Sequence, residues 1–302
     1  MNELSYNQVT VDQLNLPFLL EKQVQASILR LDKIHPHISG NKLFKLKYYL
    51  QEAITLGKKT IITFGGAYSN HILATAAACS LNGLSSIGVI RGERGAELSQ
   101  TLVSAAGYGM KFFFVSRENY KTKILPVEIL ETEENKKSYV VNEGGFGSMG
   151  VEGAKEILMC CKKEIYTHIC CAVGTGTTLA GLIAASLDAQ YSTGISVLKN
   201  NYELENHVKE LLGKTTRKNN FGILHDYHFG GYAKYNNELI SFMNEFYQTT
   251  AIPTDIVYTG KLMFAVLDLV QKNYFPPDSR ILIIHSGGLQ GNASLKTGTI
   301  MF

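Results

Sequence analysis

Short apolar runs alternate with longer amphipathic stretches through most of this 302-residue chain. Runs such as Thr60–Phe64 and Ile169–Val173 have the length and composition of buried strands. The stretches that follow them, the alanine-rich His71–Leu81 and Thr178–Leu187, are typical of helices. Because strands and helices alternate, we predict an α/β protein in which parallel sheets are covered by helices on both faces.

The same patterning predicts the other elements. We expect further strands at Ser86–Ile90, Met110–Val115, Ser138–Val141, Ile195–Leu198 and Arg280–His285. We expect further helices at Ala96–Ala106, Gly150–Lys162, Glu203–Leu212, Tyr235–Tyr247 and Gly260–Lys272. Residues 117–137 are polar, and within them Glu131 to Lys137 read as a solvated connection.

Composition excludes several classes of protein. The chain is long enough for two lobes or domains, and its 45% hydrophobic and 18% charged content is that of an ordinary globular protein. A net charge of +3 does not favour a nucleic-acid partner, and the cluster Lys214, Arg217 and Lys218 reads as a solvated turn. We find no signal peptide and no stretch apolar enough to span a membrane, so we predict a cytoplasmic protein.

The five cysteines indicate neither a disulfide framework nor a metal site. They contain no CxxC pair and lack the spacing of zinc ligands, so we predict reduced thiols and no bound metal. Cys170 and Cys171 lie in an apolar run, which favours a place in the core.

Three glycine-rich segments follow predicted strands. They are Gly65-Gly66, Gly174 to Gly176, and Gly287-Gly288. Ligands of open parallel sheets bind outside the carboxyl ends of the strands, so we expect these segments to converge on one cleft.

A lysine follows the turn sequence Ser39-Gly40-Asn41. Lys42 could be a surface lysine, because Lys45 and Lys47 follow closely and the stretch could be a basic helix face. However, Gly40-Asn41 fits a turn that leads into a helix, which would place Lys42 in the first turn. A buried lysine has a lowered pKa, and its neutral amine can condense with an aldehyde.

Ser69 and Asn70 lie between a glycine pair and the helix His71–Leu81. Either residue is a good helix cap, and a cap at the carboxyl end of a strand can also direct its polar groups into the cleft. The two roles are compatible. A general-base role for His71 is less favoured than a structural one.

The segment Gly174-Thr175-Gly176-Thr177-Thr178 opens a predicted helix and is suited to binding phosphate through backbone N–H groups. A dinucleotide site is the alternative, but Leu179 replaces its third glycine and no acidic residue ends the next strand. One reactive amine, one polar loop and one phosphate loop fit pyridoxal 5′-phosphate (PLP) and an amino-acid substrate.

These segments together resemble the aminocyclopropane-carboxylate deaminase / D-cysteine desulfhydrase family of PLP enzymes. The resemblance runs in order from about residue 20 to residue 290, and is carried by residues 39–46, 65–71, 142–145, 174–178, 258–261 and 285–288. It implies the tryptophan-synthase-β-like fold (fold type II), with two open parallel-sheet αβα domains and PLP in the cleft between them. We expect a large domain of residues 1–44 plus 156–302, a smaller inserted domain of residues 45–155, and a homodimer.

The resemblance also implies roles for individual residues. Lys42 would hold PLP covalently, Asn70 would bind its phenolic oxygen, and the phosphate would lie on Gly174, Thr175, Gly176, Thr177 and Thr178. Ser69 and Tyr258 would act with Lys42 in catalysis. The substrate would contact Asn41, Ser69, His71, Tyr232 and Tyr258.

Two positions bear on the reaction that the family resemblance implies. Ring-opening deaminases typically have Ser-Asn-Gln and a Glu after the second tyrosine, whereas this chain has His71 and Thr259. Both residues resemble those of the desulfhydrase branch. In that branch a hydroxyl, here of Thr259 or Ser286, would face the pyridine nitrogen. We predict α,β-elimination of D-cysteine to pyruvate, ammonia and sulfide.

Alternatives to this reaction remain open. They are aminocyclopropane-carboxylate deaminase, another fold-type-II PLP lyase or racemase, and a nonenzymatic small-molecule sensor that keeps the fold. The chain also departs from the family pattern in the polar segment between Leu198 and Tyr232, and at Ala233, where the family commonly has glycine.

Overall fold

The chain folds around two β-sheets in a computed structural model that describes residues 6–38, 40–131, 136–213 and 218–302. Ser39, Lys214 and Arg217, and part of the predicted connection at 131–137, lie outside the described residues. The strands are β1 Val11–Gln13, β2 Gln25–Arg30, β3 Thr60–Gly66, β4 Ser85–Arg91, β5 Lys111–Val115, β6 Ser138–Val141, β7 His168–Val173, β8 Tyr191–Ser196, β9 Phe221–Leu224 and β10 Arg280–His285.

The helices lie between these strands and mostly follow the predicted stretches. They are α1 Pro17–Glu21, α2 Asn41–Thr55, α3 Asn70–Leu81, α4 Gln100–Gly107, α5 Arg117–Thr122, α6 Val127–Leu130, α7 Ser148–Lys155, α8 Thr177–Ala185, α9 Leu204–Leu212, α10 Asn237–Thr250 and α11 Thr259–Gln271. None of the helices in the described residues combines the length and apolar character needed to cross a membrane.

The larger sheet has the strand order β1-β2-β10-β7-β8-β9. Only the β1–β2 pair is antiparallel, and the other neighbours are parallel. The last strand, β10, lies between β2 and β7, with Ile283 beside Cys170. The loops that follow β7 and β10 therefore emerge side by side at one edge of the sheet.

The smaller sheet is wholly parallel and has the order β5-β4-β3-β6. It is made from one continuous part of the chain, residues 60–141, whereas the larger sheet draws strands from both sides of that part. The predicted α/β architecture of parallel sheets is confirmed. The bounds of the two domains, 1–44 plus 156–302 and 45–155, stay a prediction.

Both faces of the larger sheet are buried, as its apolar strands require. Along β10, Leu282 and Ile284 pack into one hydrophobic core, while Ile281 and Ile283 pack into a second core on the opposite face. The neighbouring Cys170 and Cys171 are divided between the same two cores, which confirms their predicted place inside the protein. All five cysteines are free thiols.

Several predicted elements are shifted, and local hydrogen bonds give the reason. The strand predicted at Ile195–Leu198 is β8, which ends at Ser196 because the Ser196 hydroxyl binds both the N–H and the carbonyl of Leu198 and turns the chain. The helix predicted at Gly150–Lys162 ends as an α-helix at Lys155 and continues only as 3-10 turns over Glu156–Cys160.

The sequence patterning missed strands β1, β2 and β9 of the larger sheet. Strand β9 pairs only with β8, and it lies inside the polar segment that resembles the family poorly. Strand β1 pairs only with β2. Short edge strands bury few side chains, so their periodicity is weak. The polar residues 117–131 also contain the two short helices α5 and α6.

Candidate active site

A glycine places Lys42 at the carboxyl edge of the larger sheet. Gly40 has a φ of 67°, and the N–H of Asn41 donates to the carbonyl of Ser286 at 3.2 Å. A Cβ on Gly40 would overlap that carbonyl oxygen, so only glycine lets helix α2 begin directly on the loop after β10. Lys42 lies in the first turn of the helix, as the turn sequence predicts.

Lys42 is half-buried in a cavity wall. Its Nζ donates to Asn41 Oδ1 at 3.0 Å and lies 5.9 Å from the centre of the Tyr258 ring. Burial lowers the pKa of Lys42 to about 8, against a smaller opposing effect of the Asp255 carboxylate. Much more of this amine is therefore neutral near pH 7 than of an ordinary lysine, which favours a nucleophilic role.

A cavity of about 760 Å³ opens beside Lys42, with walls from both sheets. Most of the residues that the sequence nominates share this one cavity. They are Asn41, Lys42, Ser69, Asn70, His71, Gly174, Thr175, Gly176, Thr178, Tyr232, Tyr258 and Ser286. Two nominated residues, Thr177 and Thr259, do not line it; both are fully buried.

The predicted phosphate loop joins β7 to helix α8. Gly176 has a φ of 84° at the N-cap, and the helix begins at Thr177. The Thr177 hydroxyl lies 3.2 Å from that of Thr175, so Thr177 supports the loop from behind. Asn41 Nδ2 donates to Thr178 Oγ1 at 2.8 Å, which ties the Lys42 helix to the start of α8. The N–H groups of the first turn can bind a phosphate at this end of the cavity.

Ser69 and Asn70 combine the two roles that the sequence allows. Ser69 is the N-cap of α3, with its Oγ accepting from the N–H of Ile72 at 3.5 Å. Asn70 Oδ1 is buried and has no hydrogen-bond partner among the described residues. Its amide packs against the backbone of Gly288, where a Cβ would overlap it. A buried amide without a partner in a cavity wall suits contact with a bound polar group.

Two tyrosines stand near Lys42. The rings of Tyr232 and Tyr258 lie 6.0 Å apart at an angle of 76°. Burial raises the pKa of Tyr258 well above its ordinary value, so its hydroxyl keeps its proton and can donate it. The loop that carries Tyr232 is held by Lys261, whose Nζ donates to the carbonyls of His228 and Gly231 at 2.8 and 2.7 Å.

The structure explains the departure at Ala233. This residue has a φ of 54°, in the left-handed region that favours glycine. The family's common glycine therefore suits the conformation of this position, and the chain keeps that conformation with an alanine.

Thr259 does not take the position that the sequence allows for it. Its Oγ1 donates to Asp255 Oδ1 at 2.6 Å. The same oxygen accepts from the backbone N–H of Asp255 at 2.7 Å. Asp255 also accepts from the N–H groups of Val257, Tyr258 and Thr259, and so caps helix α11. Thr259 is used in this buried cap, and of the two predicted hydroxyls only that of Ser286 belongs to a residue that lines the cavity.

Sequence reasoning missed several residues of the cavity wall. Lys45 is only 3% exposed, and burial together with the charge of Lys42 lowers its pKa well below the ordinary value. Its spacing of three residues from Lys42, one turn along the same helix face, is the signal that could have found it. Arg91, Arg117 and Glu143 also line the cavity; they come from the end of β4, the start of α5 and the turn after β6, and only Glu143 lies in a segment that the sequence singled out.

These features fit PLP. The cavity offers an amine with a lowered pKa for the aldehyde, a helix N-terminus for the phosphate and the amide of Asn70 for a ring substituent. A model of the family described as pyridoxal-phosphate dependent enzyme matches residues 14–287. The chain belongs to this family of PLP-dependent enzymes.

Individual relatives agree with this assignment. A protein of Pyrococcus abyssi provisionally named 1-aminocyclopropane-1-carboxylate deaminase is 30% identical over 90% of this chain and 86% of its own length. The bifunctional mitochondrial D-cysteine desulfhydrase / 1-aminocyclopropane-1-carboxylate deaminase of Arabidopsis thaliana is 28% identical over 95% of this chain and 78% of its own. A crystal structure of an ACC deaminase homologue superposes with a TM-score of 0.79 at 29% identity, covering 94% of this chain and 90% of the other.

The family membership confirms three predictions made from the sequence. The resemblance to deaminases and desulfhydrases is confirmed, the fold is that of type II PLP enzymes, and the cofactor is PLP. The chain is a PLP-dependent enzyme of the lyase and deaminase type. The roles of the individual site residues stay predictions, supported by the geometry above.

The lowered pKa of Lys42 gives a prediction for the apoprotein. Its rate of PLP capture should rise with pH and level off above pH 8, because the neutral amine is the reactive form and the pKa is about 8. Stopped-flow absorbance over a pH range that extends beyond both 8 and 10.5 measures this rate. A midpoint near pH 10.5, the ordinary value for lysine, would show that Lys42 is solvated in the apoprotein.

Proposed function

We propose that this PLP-dependent enzyme eliminates the thiol of D-cysteine. D-cysteine and one water would give pyruvate, ammonia and hydrogen sulfide. The observation that carries the proposal is the position after the second tyrosine, where ring-opening deaminases of the family typically have glutamate. Here that position is Thr259, which lies outside the cavity wall with its hydroxyl bound to Asp255.

The polarity of the cavity supports this choice. Glu143 is the only carboxylate among the described residues that line it, and Glu143 Oε2 is paired with Lys123 Nζ at 2.6 Å. The hydroxyl residue Ser286 lines the cavity beside the start of α2. A neutral hydroxyl near the pyridine nitrogen would suit elimination, because a thiolate is already a good leaving group and needs less electron withdrawal.

The residues of the site supply the remaining functions. PLP, when bound, withdraws electrons from the bonds at the substrate Cα. The Lys42 amine, with its pKa near 8, can take the proton from Cα, and the Ser69 hydroxyl is the alternative acceptor. Tyr258 keeps its proton and can donate a hydrogen bond to the departing sulfur. General acid and base help of this kind typically contributes about 10²–10⁴-fold to the rate.

A second candidate is the ring-opening deamination of 1-aminocyclopropane-1-carboxylate. The names of the Pyrococcus abyssi and Arabidopsis thaliana relatives favour it as much as the desulfhydrase reaction. The same residues would bind this substrate, since it shares the amino and carboxylate groups of D-cysteine. The two reactions differ at Cβ, where the cyclopropane has no leaving group and a ring bond must break.

Purified enzyme loaded with PLP distinguishes the two reactions. We expect the highest kcat/KM with D-cysteine, detected as pyruvate and sulfide, from a panel of D- and L-cysteine, D-β-chloroalanine, D-serine and 1-aminocyclopropane-1-carboxylate. The last compound yields 2-oxobutyrate and ammonia instead. Faster ring opening than D-cysteine breakdown would overturn the proposal in favour of the second candidate.

The homodimer and the cytoplasmic location implied by the sequence stay predictions. Light scattering of the purified enzyme tests the first, and fractionation of cells tests the second.

A further inference from the structure

His71 is a buried histidine in the first turn of α3, and it belongs to the wall of the cavity. Its Nε2 lies 2.8 Å from the hydroxyl oxygen of Thr63 on β3. That hydroxyl donates its hydrogen to the carbonyl of Val141, also at 2.8 Å. A hydroxyl has one hydrogen, so toward His71 the oxygen of Thr63 can only accept. Nε2 must therefore carry the proton of the ring.

The other ring nitrogen is consequently a bare acceptor. Nδ1 of His71 is buried and has no partner among the described residues. Burial, together with the positive charges of Lys42 and Lys45, holds the pKa of His71 well below its ordinary value. The imidazole therefore stays neutral. Its tautomer is set by two linked hydrogen bonds, from His71 Nε2–H to the Thr63 hydroxyl and from that hydroxyl to the Val141 carbonyl.

A buried acceptor without a donor is costly, so a donor on the ligand is its natural partner. Substrates of this family share an amino group and a carboxylate, and neither can distinguish one substrate from another. The substituent on Cβ is the part that differs. D-cysteine carries an S–H donor there, whereas β-chloroalanine and 1-aminocyclopropane-1-carboxylate carry none.

We propose that His71 Nδ1 accepts a hydrogen bond from the S–H or O–H on the substrate's Cβ, and so selects amino acids with a β-thiol or β-hydroxyl. Thr63 is the positioning residue that keeps Nδ1 unprotonated. This inference rests on the proposed function, because it assigns the residue that would recognise the thiol of D-cysteine. A site built around such a donor rejects analogues that lack it, since its acceptor is then left unpaired.

The tautomer is tested without any measurement of activity. Long-range ¹H–¹⁵N spectra of histidine-labelled holoenzyme should show His71 with a protonated Nε2 and an unprotonated Nδ1. A Thr63→Val protein, which keeps the ring but removes its acceptor, should show a mixture of tautomers. A wild-type His71 protonated at Nδ1, or at both nitrogens, would overturn the inference.

The selection is tested with two substrates that differ at one atom. His71→Phe keeps an aromatic ring and removes the acceptor, so we expect kcat/KM for D-cysteine to fall about 10–100-fold. For D-β-chloroalanine, which has no donor on Cβ, we expect a fall about tenfold smaller. An equal fall for both substrates would overturn the inference, since it would indicate a general structural role. The visible absorbance of bound PLP verifies that each variant is loaded.

A matched control lies on the same helix. Thr75 is fully buried and its hydroxyl has no partner among the described residues. Thr75→Val should leave both kcat/KM values and the His71 spectrum unchanged. If wild-type enzyme releases no pyruvate from D-cysteine, the proposed function fails and this inference fails with it. If wild-type enzyme does release pyruvate, and His71→Phe lowers kcat/KM equally for both substrates, only this inference fails.

Discussion

Lys42→Ala protein is expected to lose the visible absorbance of covalently held PLP and to lose turnover by about 10³-fold or more. The reason is that this side chain provides both the amine that captures the cofactor aldehyde and a base for the Cα proton. Its buried Nζ, with a pKa of about 8, has no equivalent elsewhere in the first turn of α2. Absorption spectra and the mass of borohydride-reduced protein measure the first effect, and pyruvate release measures the second.

Another lysine of the same helix provides the control. Lys47 Nζ is paired with Glu156 Oε2 at 2.6 Å and does not line the cavity. Lys47→Ala should keep the spectrum and nearly all of the turnover, with a stability loss within about 1 kcal/mol. A Lys42→Ala protein that retained both the visible band and its turnover would exclude Lys42 as the PLP lysine.

Gly40→Ala is expected to lower the free energy of unfolding by about 2–5 kcal/mol and to reduce PLP loading. Two costs add. The φ of 67° penalises any residue with a Cβ by about 1–2 kcal/mol, and overlap with the Ser286 carbonyl adds about 1–3 kcal/mol as for other overpacked sites. Relief of the overlap must move the start of α2, and Lys42 moves with it. Urea unfolding and the absorbance of bound PLP measure the two effects.

Gly57 separates these two costs. It has nearly the same φ, 66°, but a Cβ there would meet no atom within 4 Å. Gly57→Ala should therefore cost only about 1–2 kcal/mol and leave PLP loading unchanged. Equal destabilisation by the two substitutions would show that the contact with Ser286 does not position the helix.

Much of the fold was predictable because most of its strands are short apolar runs bounded by turn residues. Ser138–Val141 and Arg280–His285 agree with the predicted strands at both ends. The strand-like run before Gly65 and the alanine-rich stretch after Asn70 likewise correspond to β3 and α3. Strands and helices of this kind carry their patterning in neighbouring residues, so a local reading suffices. Edge strand β9, Phe-Gly-Ile-Leu, is only four residues long, contains a glycine and follows a polar stretch, so it was not predicted.

Most of the candidate site was also predictable, because each part is a local motif at the end of a strand. The turn before Lys42, the cap at Ser69 and the glycines of the phosphate loop each depend on a few consecutive residues. Parallel strands then bring these ends to one edge of each sheet. The prediction that they share a cleft needed only the fold class.

The sequence by itself determined the α/β class, the cofactor and the lysine that we propose to hold it, since all three depend on short motifs and their order. Only the tertiary structure decided which atoms these side chains contact. It binds the Thr259 hydroxyl to Asp255, buries Lys45 beside Lys42 and sets the tautomer of His71 through Thr63 and Val141. The first two depend on which face of a helix is packed against the rest of the protein, and the third joins two strands that are 78 residues apart in the chain, so short motifs do not specify them.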